Sequence, residues 1–144
     1  MSTVEPLYSL MIKRPDKYSK SELIFVEASF LLSICKQLKE MFRKQYHEYF
    51  RLLKFTTKME DAMLDADVIC FMIKDILSTD EYNLQGIAYY INVHEDIIYE
   101  IIIGKNNNPS SILLQRIIDL HRSVRPDLYS EIIKKIALDY LAVA

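Results

Sequence analysis

Apolar residues along this chain recur at steps of three and four, the spacing that gathers side chains on one face of an α-helix. The clearest case runs from Leu84 to Pro109. Leu84, Ile87 and Ile91 share the face of a first short helix, and Ala88 on its inner side is small enough to let a second helix approach. Asn92 falls at the turn, and Asn tolerates a left-handed backbone better than most residues. Val93 turns inward. His94, Glu95 and Asp96 open a second helix, with acids suited to its N-terminus, and Ile97, Ile98, Ile101 and Ile102 continue it. Gly104, one of only two glycines in the chain, fits a helix end that needs positive φ. Asn106, Asn107, Asn108 and Pro109 read as a loop, and Ser110 or Ser111 as the cap of the next helix.

Before this stretch the pattern predicts an N-terminal arm over residues 1–19, broken by Pro6 and Pro15, from which Tyr8, Leu10, Met11 and Ile12 dock on the body. A long helix follows from about residue 20 to about residue 54, capped by Ser19 or Ser21. Its apolar stripe is Phe30 or Leu31, Ile34, Leu38, Met41 or Phe42, Tyr49, and Leu52 or Leu53. Thr57 and Glu60 have capping-box spacing, and a helix runs from Lys58 to about Leu77. Its inner face is Met59, Met63, Ala66, Ile69 or Cys70, Ile73, and Ile76 or Leu77, with Asp61, Asp65, Asp67 and Asp75 facing outward. After the Asn loop, Ser111 to Arg122 is helical. Val124, Arg125, Pro126 and Asp127 stop it, and Asp127 caps a last, strongly apolar helix to about Ala142.

Composition agrees with this reading. The 144 residues are 51% apolar with two Gly and four Pro, enough for one helical domain with a sizeable core. Ten Tyr and many Ile add local strand propensity, but the period decides for helix. The division by pattern is residues 1–57, arm and long helix, and residues 58–144, the short-helix region with its C-terminal helix, together one compact unit. The net charge of −2 hides an asymmetry. Residues 1–60 carry 11 Lys/Arg against 7 Asp/Glu, and residues 61–144 carry 7 against 13. Lys36, Lys39, Arg43, His47, Arg51, Lys54 and Lys58 recur at three- and four-residue steps. If the helix persists they form one basic face, either an ordinary solvated face or a surface for nucleic acid or an acidic partner.

Catalytic chemistry is not indicated. A Gly-rich phosphate loop, GxSxG, HExxH and a Cys–His pairing are all missing from the sequence. His47, His94 and His121 fall in separate elements, and His121 reads as a satisfied interface residue. Cys35 and Cys70 have no CxxC or Cys/His partner, so neither zinc nor a disulfide framework is expected, and both read as buried reduced thiols. The outward acids lack the His and Glu-x-x-His pattern of a metal site. No cofactor and no metal are therefore expected. The start lacks a signal-peptide pattern. The most apolar run, Leu23 to Cys35, contains Glu27 and is too short to span a bilayer. The expected setting is cytoplasmic, without a membrane partner.

Over about residues 68–122 the chain resembles the phage lambda-repressor-like (Cro/repressor type) helix-turn-helix domain. The resemblance rests on Ala88 followed four residues later by the turn at Asn92, on the inward Ile98 and Ile101, and on the closure Gly104, Lys105, Asn108 and Pro109. The family usually has Gly where this chain has Asn92. The resemblance implies a helix-turn-helix bundle preceded by a long amphipathic helix and followed by a C-terminal helix, acting as a DNA-binding transcriptional regulator, usually a homodimer. It places His94, Glu95, Asp96, Tyr99, Glu100 and Ile103 toward the groove. It leaves Gln85, Lys105, Asn106, Asn107 and Ser110 or Ser111 as phosphate contacts, Lys105 foremost. DNA readers usually carry Ser, Thr, Gln, Asn, Arg or Lys on that face, whereas three acids are repelled by phosphates. The alternative expectation is a non-catalytic protein-interaction or adaptor module on the same fold, meeting a basic or helical protein partner.

Overall fold

The computed structural model describes residues 7–10, 12–106 and 109–143, and it is all-α, with no strand among those residues. Two 3-10 turns, Leu7–Leu10 and Pro15–Lys17, lead into α1 (Lys20–Gln45), α2 (His47–Leu52), α3 (Thr57–Ser78), α4 (Leu84–Ile91), α5 (Glu95–Ile102), α6 (Ser111–Val124) and α7 (Pro126–Val143). Of the arm residues expected to dock, Tyr8 and Ile12 are half-buried, and the Tyr8 N–H donates to Glu27 Oε2 on α1 at 2.7 Å. Met11 and the side chain of Leu10 lie outside the described residues.

The helix ends follow from local chemistry. Ser19 closes a capping box on α1: its Oγ accepts from the Glu22 N–H, and Glu22 Oε1 accepts from the Ser19 N–H, both at 3.1 Å. Thr56, not Thr57, caps α3 by accepting from the Met59 N–H at 3.2 Å. Asn83 caps α4 at Gly86 and Ser110 caps α6 at Leu113. Pro126 takes the first position of α7, where its missing N–H costs nothing. Asp127 therefore lies inside the first turn and is not the cap that the sequence suggested.

The expected helix from residue 20 to 54 is broken. Tyr46, at φ −102° and ψ 17°, ends α1 and precedes α2. The stripe Phe30, Ile34, Leu38 and Phe42 is buried as expected. Beyond the break the register shifts, so Phe50 is buried while Tyr49, Leu52 and Leu53 face solvent. Helix α3 also departs from a regular helix, at Asp67 (φ −116°, ψ 15°). Ile73 and Ile76 are buried on its inner face as expected, but Met59 and Ala66 are exposed, and Leu64, Phe71 and Met72 are buried in addition. One core takes buried residues from every helix, α1 through α7. Residues on both sides of position 57 contribute to it.

Asp75, expected to face water, is instead buried. It is 4% exposed at the junction of α3, α6 and α7. His121 Nε2 lies 2.7 Å from Asp75 Oδ2, and His121 Nδ1 lies 2.7 Å from the Tyr129 hydroxyl. Arg125 donates from Nε to Asp75 Oδ2 at 3.1 Å and from Nη2 to Oδ1 at 3.0 Å. His121 is fully buried with both ring nitrogens hydrogen-bonded, the satisfied interface residue that the sequence suggested. Burial opposes ionisation of Asp75, but the hydrogen bonds from His121 and Arg125 outweigh it and hold the carboxyl below its usual range. Burial pushes the Tyr129 phenol well above its ordinary value.

Candidate nucleic-acid interface

Helices α4 and α5 are joined by a turn whose geometry explains its residues. Asn92 is left-handed, at φ 65° and ψ 50°. Around it the Val93 N–H donates to the Ala88 carbonyl at 3.0 Å and the Asn92 N–H to the Tyr89 carbonyl at 3.2 Å. This is a Schellman closure, in which a left-handed residue lets the chain turn back and satisfy the last carbonyls of the helix. The same closure ends α5. Gly104 has φ +82°, Lys105 donates to the Glu100 carbonyl at 2.9 Å, and Gly104 donates to that of Ile101 at 3.2 Å. Ile87, Ala88, Ile91, Ile98 and Ile101 are buried beneath the pair. Side-chain hydrogen bonds pin it to its neighbours, among them one from the Tyr90 hydroxyl of α4 to Asp119 Oδ2 of α6 at 2.9 Å. Arg116 of α6 donates from Nη1 to the Ile91 carbonyl at 3.0 Å, and Cys70 Sγ of α3 reaches the Ile102 carbonyl at 3.5 Å.

The outer face of α5 is acidic and apolar. Glu95, Asp96, Tyr99 and Ile103 are exposed, and Glu100 is half-buried. His94 is the N-cap, its Nδ1 accepting from the Asp96 N–H at 3.1 Å. Glu95 and Asp96 occupy the positive end of the helix dipole that a phosphate would otherwise use. Gln85 stands exposed in the first turn of α4, and Lys105 and Ser110 are exposed beside the end of α5 and the start of α6. Ser110 Oγ accepts the capping bond of α6, which leaves its proton free to donate. Asn106 is half-buried. Asn107 lies outside the described residues. Tyr89 on α4, absent from the sequence reading, is 89% exposed on this motif.

The basic face divides. Lys36 is exposed on α1. Lys39 pairs with Asp65 at 2.6 Å, and Arg43 pairs with Asp61 and, at 3.9 Å, with Glu60. These pairs join α1 to α3, so cations that read as either a solvated face or a partner surface are matched by acids expected to be solvated. Two stripes of opposite charge at the same four-residue step, Lys39 with Arg43 and Asp61 with Asp65, were the sequence signal for it. Arg51 and Lys54 lie beyond the break at Tyr46. Arg51 pairs with Glu48 at 2.7 Å, and Lys54 takes a left-handed backbone, φ 57°, to end α2. The interruption of the helix is the reason the seven basic positions do not form one continuous face.

The two cysteines are half-buried and free, less enclosed than expected, and burial raises the pKa of each. No cluster that could hold a metal ion occurs among the described residues, and no helix there is long and apolar enough to cross a membrane. Comparison with protein families, with curated proteins and with solved structures returned no match to this chain.

Proposed function

We propose that this chain is a DNA-binding transcriptional regulator that docks α4 and α5 on duplex DNA as a helix-turn-helix. The observation that carries the reading is the α4–α5 pair itself: two eight-residue helices, a left-handed Asn92 between them, a glycine closure after them and an uncovered outer face on α5. Such a unit enters the major groove with its second helix. Phosphate contacts then fall to Gln85, Lys105, Asn106, Asn107 and Ser110, with His94, Glu95 and Tyr99 toward the base edges. Glu95 can accept from cytosine N4. Affinity on this reading is modest, because α5 adds repulsion and Lys39, Arg43 and Arg51 are already paired.

A salt titration of duplex binding tests it. Binding is expected at low salt and falls steeply as salt rises, and Lys105→Ala lowers the magnitude of the log–log slope by roughly 0.9. Glu95→Gln is expected to tighten non-specific binding by removing a repelled carboxylate. A protein that binds no duplex at low salt overturns the reading.

The second reading, a non-catalytic interaction or adaptor module, has its own support. The exposed face of α5 and its C-cap carry Glu95, Asp96, Tyr99 and Ile103 and no Lys or Arg, a composition suited to a basic, partly apolar protein surface. On that reading Glu95→Gln weakens partner binding and leaves DNA binding at zero.

A further inference from the structure

The structure contains a surface complementary to the acidic face of α5. Along the seam between α1 and α7 runs a groove of about 470 Å³. Met41, Leu128 and Ile132 form its apolar floor, and Leu138, 59% exposed, stands at its edge. Lys44, Lys134 and Lys135 stand on its rim, and none of the three makes an ion pair among the described residues. The opposing acids are fewer. Glu131 also lines the groove, and Glu40 is engaged by Arg43 at 3.7 Å. The α1 wall runs over Gln37, Glu40, Met41 and Lys44, two turns of helix. That matches the length of the eight-residue α5, on the order of 12 Å at the α-helical rise.

We propose that this groove is the docking site for α5 of a second copy of the chain. Tyr99 and Ile103 of one copy rest on the floor, while Glu95, Asp96 and Glu100 face Lys44, Lys134 and Lys135 of the other. Charge complementarity supports this docking: Lys44, Lys134 and Lys135 on the seam are opposite in sign to Glu95, Asp96 and Glu100, of which, among the described residues, only Asp96 has a neighbouring partner, His94 at 3.4 Å, and both surfaces include apolar side chains. The contact joins two different patches, so it is heterologous and propagates into a ring or an open chain. One face of a short helix covers roughly half of the ~800 Å² per partner typical of stable complexes, so the association is weak and reversible. It uses the face that a duplex would occupy, and self-association and DNA docking therefore exclude each other. The inference stands apart from the DNA reading, because association is measured with no nucleic acid present.

Sedimentation of the full chain across a range of concentrations tests it. The weight-average mass is expected to rise with concentration at low salt and to fall back toward the monomer at high salt. Lys134→Gln with Lys135→Gln, both on an exposed helix surface, weakens association roughly tenfold. Lys134→Glu with Lys135→Glu, and separately Glu95→Lys with Asp96→Lys, each abolish self-association, and a mixture of the two charge-reversed proteins associates again. A chain that stays monomeric at every concentration in low salt overturns the proposal. So does association that Lys134→Gln with Lys135→Gln leaves unchanged, or a mixture of folded charge-reversed proteins that remains monomeric.

Discussion

Asp75 sits in the middle of an apolar run, Phe71, Met72, Ile73 and Ile76, and shares their burial. An isolated carboxylate there would be costly, so His121 and Arg125 determine whether the site is stable. Asp75→Ala removes the acceptor of both and is expected to lower stability by about 3 kcal/mol, as measured by urea denaturation. The sign of the pH dependence follows from the depressed carboxyl. Below its ordinary range, about pH 4, the unfolded chain binds a proton there that the native chain does not. Stability from Asp75 is therefore fully present above that range and is lost as pH falls through the native value. Melting temperature against pH should fall more steeply in acid for the native protein than for Asp75→Asn; parallel curves would show that another group dominates. The sequence offered His121 as an interface residue but not its partner. Nothing in the spacing alone says that a single acid among isoleucines points inward, because its partners lie 46 and 50 residues away.

Among the elements, Ser19, Asn92, Gly104 and Ser110 were legible as helix ends, whereas Thr56 as the cap of α3, Asn83 as the cap of α4 and the start of α7 at Pro126 were not, and the helix interiors were less legible still. Caps and closures are local: Ser19, Asn83, Asn92, Gly104 and Ser110 act on groups within a few residues of themselves. Gly104→Ala is expected to destabilise by about 1 kcal/mol, because the left-handed backbone disfavours any Cβ although no other atom lies within 4 Å of the added carbon. Ser19→Ala is expected to cost about 1 kcal/mol through the lost capping box. Thermal denaturation monitored by circular dichroism measures both. The break at Tyr46 and the irregularity at Asp67 were not legible, since neither involves Gly or Pro. At the end of α2, Phe50 and Phe55 stack with centroids 5.6 Å apart while the Phe55 N–H donates to the Phe50 carbonyl at 3.1 Å. That local closure, with Lys54 left-handed between them, sets α2 in the register that buries Phe50.

At the scale of the whole molecule, charge is spent internally where α1 meets α3 and left open where α5 meets solvent. Arg43 is surrounded by Asp61, Glu60 and Glu40. Arg43→Glu is expected to lower stability by about 1–2 kcal/mol through like-charge contact. If DNA docks through α4 and α5 alone, the folded Arg43→Glu protein binds duplex as the native chain does; a large loss of affinity would place α1 in the interface. Neither cysteine is expected to react quickly with a thiol reagent at neutral pH, because burial raises both thiols, and a fast-labelling site would contradict that.

The sequence by itself determined the all-α class, the order and approximate limits of the helices apart from the break at Tyr46 that separates α1 from α2, and the local chemistry of the α4–α5 turn. Each of these depends on periodicity or on contacts within a turn of helix. Only the tertiary structure decided which charges are free. Lys39 and Arg43 read as an available face until α3 supplied Asp65 and Asp61, and Asp75 read as solvated until α6 and α7 closed over it. The physical reason is that the state of a charged group depends on burial and on partners distant in sequence, and neither is encoded in the spacing of its neighbours. The outer face of α5 is the reverse case, since the structure leaves Glu95 and Asp96 exposed, and both acids stand on the face that the proposed docking to duplex DNA or to a second copy of the chain uses.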